Sequence, residues 1–205
     1  MKFKDIKLDY VGDEGGAQRV WTLTKGGATD HDYYYVNEEC ADLEEVDVGW
    51  YSDKNFKTKA DDVDLPYGQG VALVAAKATT KVVFAGQVEG ENKFLDITGG
   101  SIFNFTGNCM PIDRVLGDFA LIYKGDEGGA QRIWTLTKGG ATEQDYYYVN
   151  EECADLEEVD VGWYDSKNFK NKANDVEIKA GDGFAVVAGK AIQLMVPSPL
   201  DKGDK

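Results

Sequence analysis

Apolar and polar residues alternate with a period of two along most of the chain, the pattern of half-buried β-strands. Residues 17–24 set Trp21 and Leu23 on one face, residues 33–36 are rich in β-formers, and Val46, Val48 and Trp50 alternate with Asp47, Gly49 and Tyr51. A short apolar run at 71–76 follows Gly68 and Gly70, and residues 81–84, 93–97 and 101–105 continue the pattern between glycine-rich turns. The one helical stretch expected is a single turn at 38–43 capped by Asn37, which recurs at 151–156. No long stretch repeats every 3.6 residues, so the expected fold is all-β, as two tandem homologous antiparallel β-sandwich or barrel modules.

The duplication is visible in the letters. Residues 12–57 recur at 125–170, an offset of 113, with five differences in 46 positions: Val20/Ile133, Asp30/Glu143, His31/Gln144, Ser52/Asp165 and Asp53/Ser166. Similarity falls away on both sides: 11 of 22 positions match from 58–79 to 171–192. Either local gene conversion or a shared partner surface would hold such a block constant. The organisation expected is a module at 1–92, a β-rich connector at 93–113 that completes one module, and a second module at 114–205. The connector has no counterpart at the same offset in the chain as given, so the module it leaves out is expected either to be a smaller sandwich with a protected edge or to have its edge covered head-to-tail by a neighbouring subunit.

Charge follows the repeat. The chain has 205 residues and a formal net charge of -15. Each 46-residue block carries 11 acidic and four basic residues, so the two blocks hold nearly all of the excess. That balance argues against nucleic-acid binding, which needs a surplus of cations to release counterions. No apolar run approaches the length of a membrane span. The start, MKFKDIKLDY, has no hydrophobic signal core, so no signal peptide is expected in the chain as given. Cys40, Cys109 and Cys153 fit neither a disulfide framework nor a zinc set and read as reduced, packed thiols.

The order Gly49-Trp50-Tyr51, then 65–70 (Leu-Pro-Tyr-Gly-Gln-Gly), then 84–88 (Phe-Ala-Gly-Gln-Val) resembles Gly/aromatic-rich β modules of bacterial surface and prophage-encoded proteins. Residues 178–184 fit its glycine turn, and 107–111 followed by 116–118 look like a later element of it. The second copy departs from the pattern after Ile192, which leaves its last strand open. The resemblance implies a β module and brings no catalytic residue with it.

Few constellations offer chemistry. His31, the one histidine, is replaced by Gln144 in the second copy, so it makes a poor catalytic base for a duplicated site and no triad is expected. Residues 183–190 have the wrong glycine spacing for a phosphate loop and read as a strand. Asn104-Phe105-Thr106 is a glycosylation sequon, read here as part of a strand. Six acids within 38–47 and their counterparts leave two readings open: a weak calcium site, with Glu38, Glu39, Asp42, Glu151, Glu152 and Asp155 as candidate ligands, or a solvated or partner-facing surface. No cofactor is called for.

The remaining candidates are aromatic and acidic. Tyr33, Tyr34, Tyr35, Glu44, Glu45 and Tyr51, with Tyr146, Tyr147, Tyr148, Glu157, Glu158 and Tyr164, form the candidate interaction face. Alternation puts Tyr34 opposite Tyr33 and Tyr35, so each triplet places rings on both faces of its sheet. The outer rings read three ways: a sugar-stacking platform, a protein interface or a covered sheet face. The expected function is a non-enzymatic structural or adhesion protein that joins itself, as a head-to-tail oligomer or filament, or other structural proteins of a virion or extracellular surface lattice. Lys2, Lys4, Lys7, Lys77, Lys81 and Lys93 are candidate cationic contacts for the acidic face. The alternative is a bivalent carbohydrate-binding protein.

Overall fold

The computed structural model describes residues 1–13, 18–24, 26–75, 81–84, 90–108, 110–127, 131–137, 140–198 and 200. The chain is mostly β, in several antiparallel sheets, and divides into two compact units. Unit 1 comprises Met1–Thr24 and Ala28–Gln87; unit 2 comprises Lys25–Gly27 and Val88–Lys205.

Unit 1 contains β1 (Ile6–Asp9), β2 (Arg19–Leu23), β3 (Thr29–Val36), α1 (Glu38–Glu44), β4 (Gly49–Tyr51), β5 (Val71–Val74) and β6 (Lys81–Phe84). Two sheets form, β1-β6 and β4-β3-β2-β5, and Ile6 and Leu8 from the first meet Val20, Tyr33, Tyr35 and Trp50 from the second in one core. Period-two alternation is what brings them together: Lys7 and Asp9 stay in water while Ile6 and Leu8 are buried. Trp50 lies wholly inside, its indole Nε1 donating to the Ile6 carbonyl at 2.7 Å and its ring 5.1 Å from that of Phe3. Gly49 precedes it at φ 139°, a conformation L side chains rarely adopt. A Cβ there would lie 2.6 Å from Asp61 Oδ1, the atom that accepts from Trp50 N.

Unit 2 repeats this order and adds strands. β7 (Lys93–Ile97) and β8 (Phe103–Gly107) come first, then β9 (Arg114–Val115), β10 (Ala120–Ile122), β11 (Arg132–Leu136), β12 (Thr142–Val149), α2 (Glu151–Glu157), β13 (Gly162–Tyr164), β14 (Glu177–Ile178), β15 (Gly183–Val187) and β16 (Ile192–Val196). Its sheets run β13-β12-β11-β15-β8, β10-β16-β7 and β14-β9. The pairing Arg19↔Val74 recurs as Arg132↔Val187, Leu8↔Val82 as Leu121↔Leu194, and the bridge Lys2↔Asp64 as Val115↔Glu177. Trp163 Nε1 donates to Phe119 O at 2.8 Å, as Trp50 does to Ile6. β7 pairs with β16 and β8 with β15, so both connector strands lie in unit 2.

Several elements differ from the expectation. The alternation at 46–51 forms a strand only at β4, because Glu45 turns the chain at φ 55° and Val46 N bonds back to Ala41 O at 3.0 Å. The strand expected at 101–105 lies at Phe103–Gly107, since Gly100 and Ser101 make a turn with positive φ. Each expected single helical turn extends to seven residues. The last strand of the second copy is β16, paired on both sides despite its divergent sequence. Cys40 and Cys153 are free and buried; Cys109 and residues 76–80 and 85–89 lie outside the described residues. Asn104 sits within β8, only 6% exposed.

Candidate functional site

The acidic run owes its shape to the short helices. Asn37 caps α1, its Oδ1 accepting from Cys40 N at 2.9 Å, and Asn150 caps α2 identically through Cys153. Cys40 and Ala41 face inward against Val36 and Tyr51, and Cys153 and Ala154 against Val149 and Tyr164. The other helical positions point outward. Glu39, Asp42, Glu44 and Glu45 are exposed, and so are Glu151, Glu152, Asp155, Glu157 and Glu158; Glu38 is exposed as well. Among the described residues none of these ten carboxylates takes part in an ion pair.

An apolar tip stands among the charges. Leu43 is 66% exposed and Val48 44%, while their counterparts Leu156 and Val161 are 67% and 41% exposed. Sequence reading set Val48 with Trp50 in the alternation of a strand and did not single out Leu43, although both lie inside the repeated block.

The tyrosines are placed differently from the acids. Tyr33, Tyr34, Tyr35 and Tyr51 are buried, as are Tyr147 and Tyr164, and Tyr146 and Tyr148 are half-buried. Tyr33 and Tyr35 join the Trp50 core, and Tyr146 and Tyr148 pack against the Trp163 core. On the opposite face Tyr147 and Tyr164 lie in the cluster that α2 covers. The triplets do place rings on both sheet faces, but both faces are covered, so the exposed part of the candidate face is its acidic half. Burial raises the phenol pKa of Tyr33, Tyr35, Tyr146 and Tyr148.

A second feature lies at the outer end of β3. Thr29, Asp30, His31, Asp32, Tyr33 and Tyr34 form one wall of an open depression and Ser52, Asp53 and Lys54 the other. Four of the five differences between the blocks, at 30, 31, 52 and 53, line it. Desolvation pushes the Asp53 carboxyl up, but backbone N–H groups of Lys57, Thr58 and Asn55 outweigh it and hold the pKa below the usual value. In the second copy Gln144 Nε2 donates to Asp165 O at 3.2 Å and ties the equivalent walls together. His31 instead lies 3.8 Å from Asp30 and edge-on to Tyr33.

Of the candidate cationic contacts, Lys2 and Lys4 are engaged by Asp62 at 3.2 and 3.0 Å; Lys77 lies outside the described residues. Among the described residues no group of three or more His, Cys, Asp or Glu side chains could hold a metal ion. No helix among them is long and apolar enough to cross a membrane. No protein-family model, curated protein or solved structure matches the chain.

Proposed function

We propose that this chain is a non-enzymatic structural or adhesion protein, built of two duplicated β-sandwich modules that display the same acidic, leucine-tipped surface twice. The observation that carries this reading is the matched exposure of Leu43 and Leu156 in both copies, among carboxylates that form no ion pair among the described residues.

Two local costs accompany that surface. Glu44 and Glu157 end their helices, where the dipole disfavours negative charge, and no basic residue stands in either last turn. Glu45 and Glu158 then occupy left-handed C-cap positions, at φ 55° and 56°, where glycine is preferred. Stability alone would select lysine and glycine at these positions. A partner with cationic groups around an apolar socket offsets both costs on contact, and the buried tyrosines hold the helix that presents the surface. The partner is a second copy or another structural protein of a surface or virion lattice. Light scattering and negative-stain microscopy across protein concentration and salt test this. Ordered assemblies should weaken with salt and vanish when Glu44, Glu45, Glu157 and Glu158 are reversed to lysine. A chain that stays monomeric at high concentration, or assemblies indifferent to reversal, would refute self-assembly.

The clustering of differences around the β3 depression favours a second reading, a bivalent carbohydrate-binding protein whose two sites have diverged. Its polar walls and the exposed His31 ring suit hydroxyl-rich ligands. Glycan-array profiles that change when His31, Ser52 and Asp53 are replaced by Gln, Asp and Ser would support it; an array with no binding would remove it.

A further inference from the structure

Unit 1 and unit 2 differ in one systematic way, at the edges of the strands that follow β4 and β13. In unit 2, β15 is paired by β11 on one side and β8 on the other, and β16 by β10 and β7. In unit 1, among the described residues, β5 is paired by β2 alone and β6 by β1 alone. The residues on those strands show the consequence. Val186 in β15 is fully buried, whereas its counterpart Leu73 in β5 is 40% exposed although it lies on the same face as core residue Val20. Phe184, Ala185 and Val187 are buried, whereas Val71, Ala72 and Val74 are half-buried. Leu194 is fully buried, and Val82 in the equivalent pairing is half-buried. Trp134 in β11 meets the Phe103 ring of β8 edge-on at 4.5 Å, while Trp21 makes no ring-to-ring contact among the described residues.

Hydrogen-bond phase shows which backbone groups stand open. Leu23 N bonds Gly70 O, so in the alternating antiparallel ladder Gly70, Ala72 and Val74 turn toward β2, and Val71 and Leu73 turn away. Their counterparts Phe184 and Val186 use those outward groups on Thr106 and Asn104 of β8, in phase with the Asn108 N to Asp182 O bond. The edge that stands open among the described residues therefore has the polarity, spacing and apolar face of one that the same chain fills.

We infer that the β5 and β6 edges of unit 1 form an acceptor site for an extended polypeptide with the chemistry of β7–β8, bound by strand addition. The occupant carries two short strands of alternating apolar residues, of the Lys-Phe-Leu-Asp-Ile and Phe-Asn-Phe-Thr-Gly kind, joined by a glycine turn. One strand pairs with β5 and the other with β6. A second copy that lends its β7–β8 segment opens its own β15 and β16, which that segment fills. The occupant is a polypeptide of that pattern whose two strands are not already held in another sheet. This site shares no residue with the acidic face, so its failure leaves the proposed function standing.

The probe is a synthetic peptide of residues 91–108 added to the full chain, read by hydrogen exchange and calorimetry. One peptide should bind per chain, and exchange at Val71 and Leu73 should slow at least tenfold. Leu73→Pro removes an outward N–H at an edge position that tolerates proline, and should weaken binding at least tenfold. A peptide N-methylated at Asn104 should fail in the same way and leaves the protein's fold untouched. No binding at millimolar peptide, protection confined to 183–187 and 192–196, or equal binding of the N-methylated peptide would each overturn the proposal.

Discussion

Trp50 donates its indole N–H to the carbonyl of Ile6 at 2.7 Å, and this bond ties the two sheets of unit 1 across a fully buried core. Replacing Trp50 by phenylalanine leaves that carbonyl without its indole donor and removes part of a ring that packs on Phe3 and Tyr35. The expected loss is about 3 kcal/mol, from an unmet buried polar group plus a cavity. Trp163→Phe should cost a similar amount through Phe119 O. Urea unfolding measures both; a loss below about 1 kcal/mol in either would count against this role.

The tyrosine positions predict an alkaline titration. Burial raises the phenol pKa of Tyr33, Tyr35, Tyr146 and Tyr148, and of Tyr123, whose hydroxyl also donates to Tyr148 O at 2.9 Å. A folded pKa above the unfolded value of about 10 means stability that is full below pH 10 and lost as pH rises through the folded values. Tyrosinate absorbance at 295 nm should therefore rise in two stages, with the buried rings ionising only as the fold melts. A single transition near pH 10 with the fold intact would show that these rings meet water.

Much of the strand pattern was legible because alternation is a local property: β7 follows it residue by residue, and Asn37 announced its helix by cap chemistry. What covers the second face of the tyrosine strands was not legible. Rings at Tyr34 and Tyr147 read the same whether they face water or a helix folded back by its αL cap. The allegiance of β7 and β8 also escaped the sequence, since pairing across about 80 to 100 residues depends on which edge is free. The depression at β3 did leave a signal, in the positions of four of the five differences, but it takes the pairing of β3 with β4 to bring 30 and 31 beside 52 and 53.

Glu45 and Glu158 offer a test of the balance between stability and function. Each holds a left-handed C-cap that glycine adopts without a Cβ clash. Glu45→Gly and Glu158→Gly should each stabilise the chain by about 1 kcal/mol in thermal or urea unfolding. Assembly should weaken in the same variants, because a face carboxylate is gone. Unchanged assembly would remove Glu45 and Glu158 from the proposed contact.

Asn104 gives the sharpest prediction about the connector strands. Its Oδ1 accepts from Thr98 N at 2.9 Å, and its Nδ2 lies 3.0, 3.2 and 3.3 Å from the carbonyls of Thr98, Ile102 and Val186. The side chain thus fastens the turn between β7 and β8 to β15 with both of its polar ends. Asn104→Ala removes the acceptor of Thr98 N and the amide donor that Thr98, Ile102 and Val186 share, for an expected loss of about 2–3 kcal/mol. Asn104→Asp keeps the acceptor for Thr98 N but turns a carboxylate oxygen toward three carbonyls. Its folded pKa should then rise above the unfolded value of about 4, so protonation favours the fold. Relative to Asn104→Ala, the aspartate variant should be less stable at pH 7 and recover as pH falls through the folded value. Urea unfolding of both variants at pH 7 and pH 4 measures the difference. An aspartate variant as stable as wild type at pH 7 would mean that the Nδ2 contacts do not hold the turn.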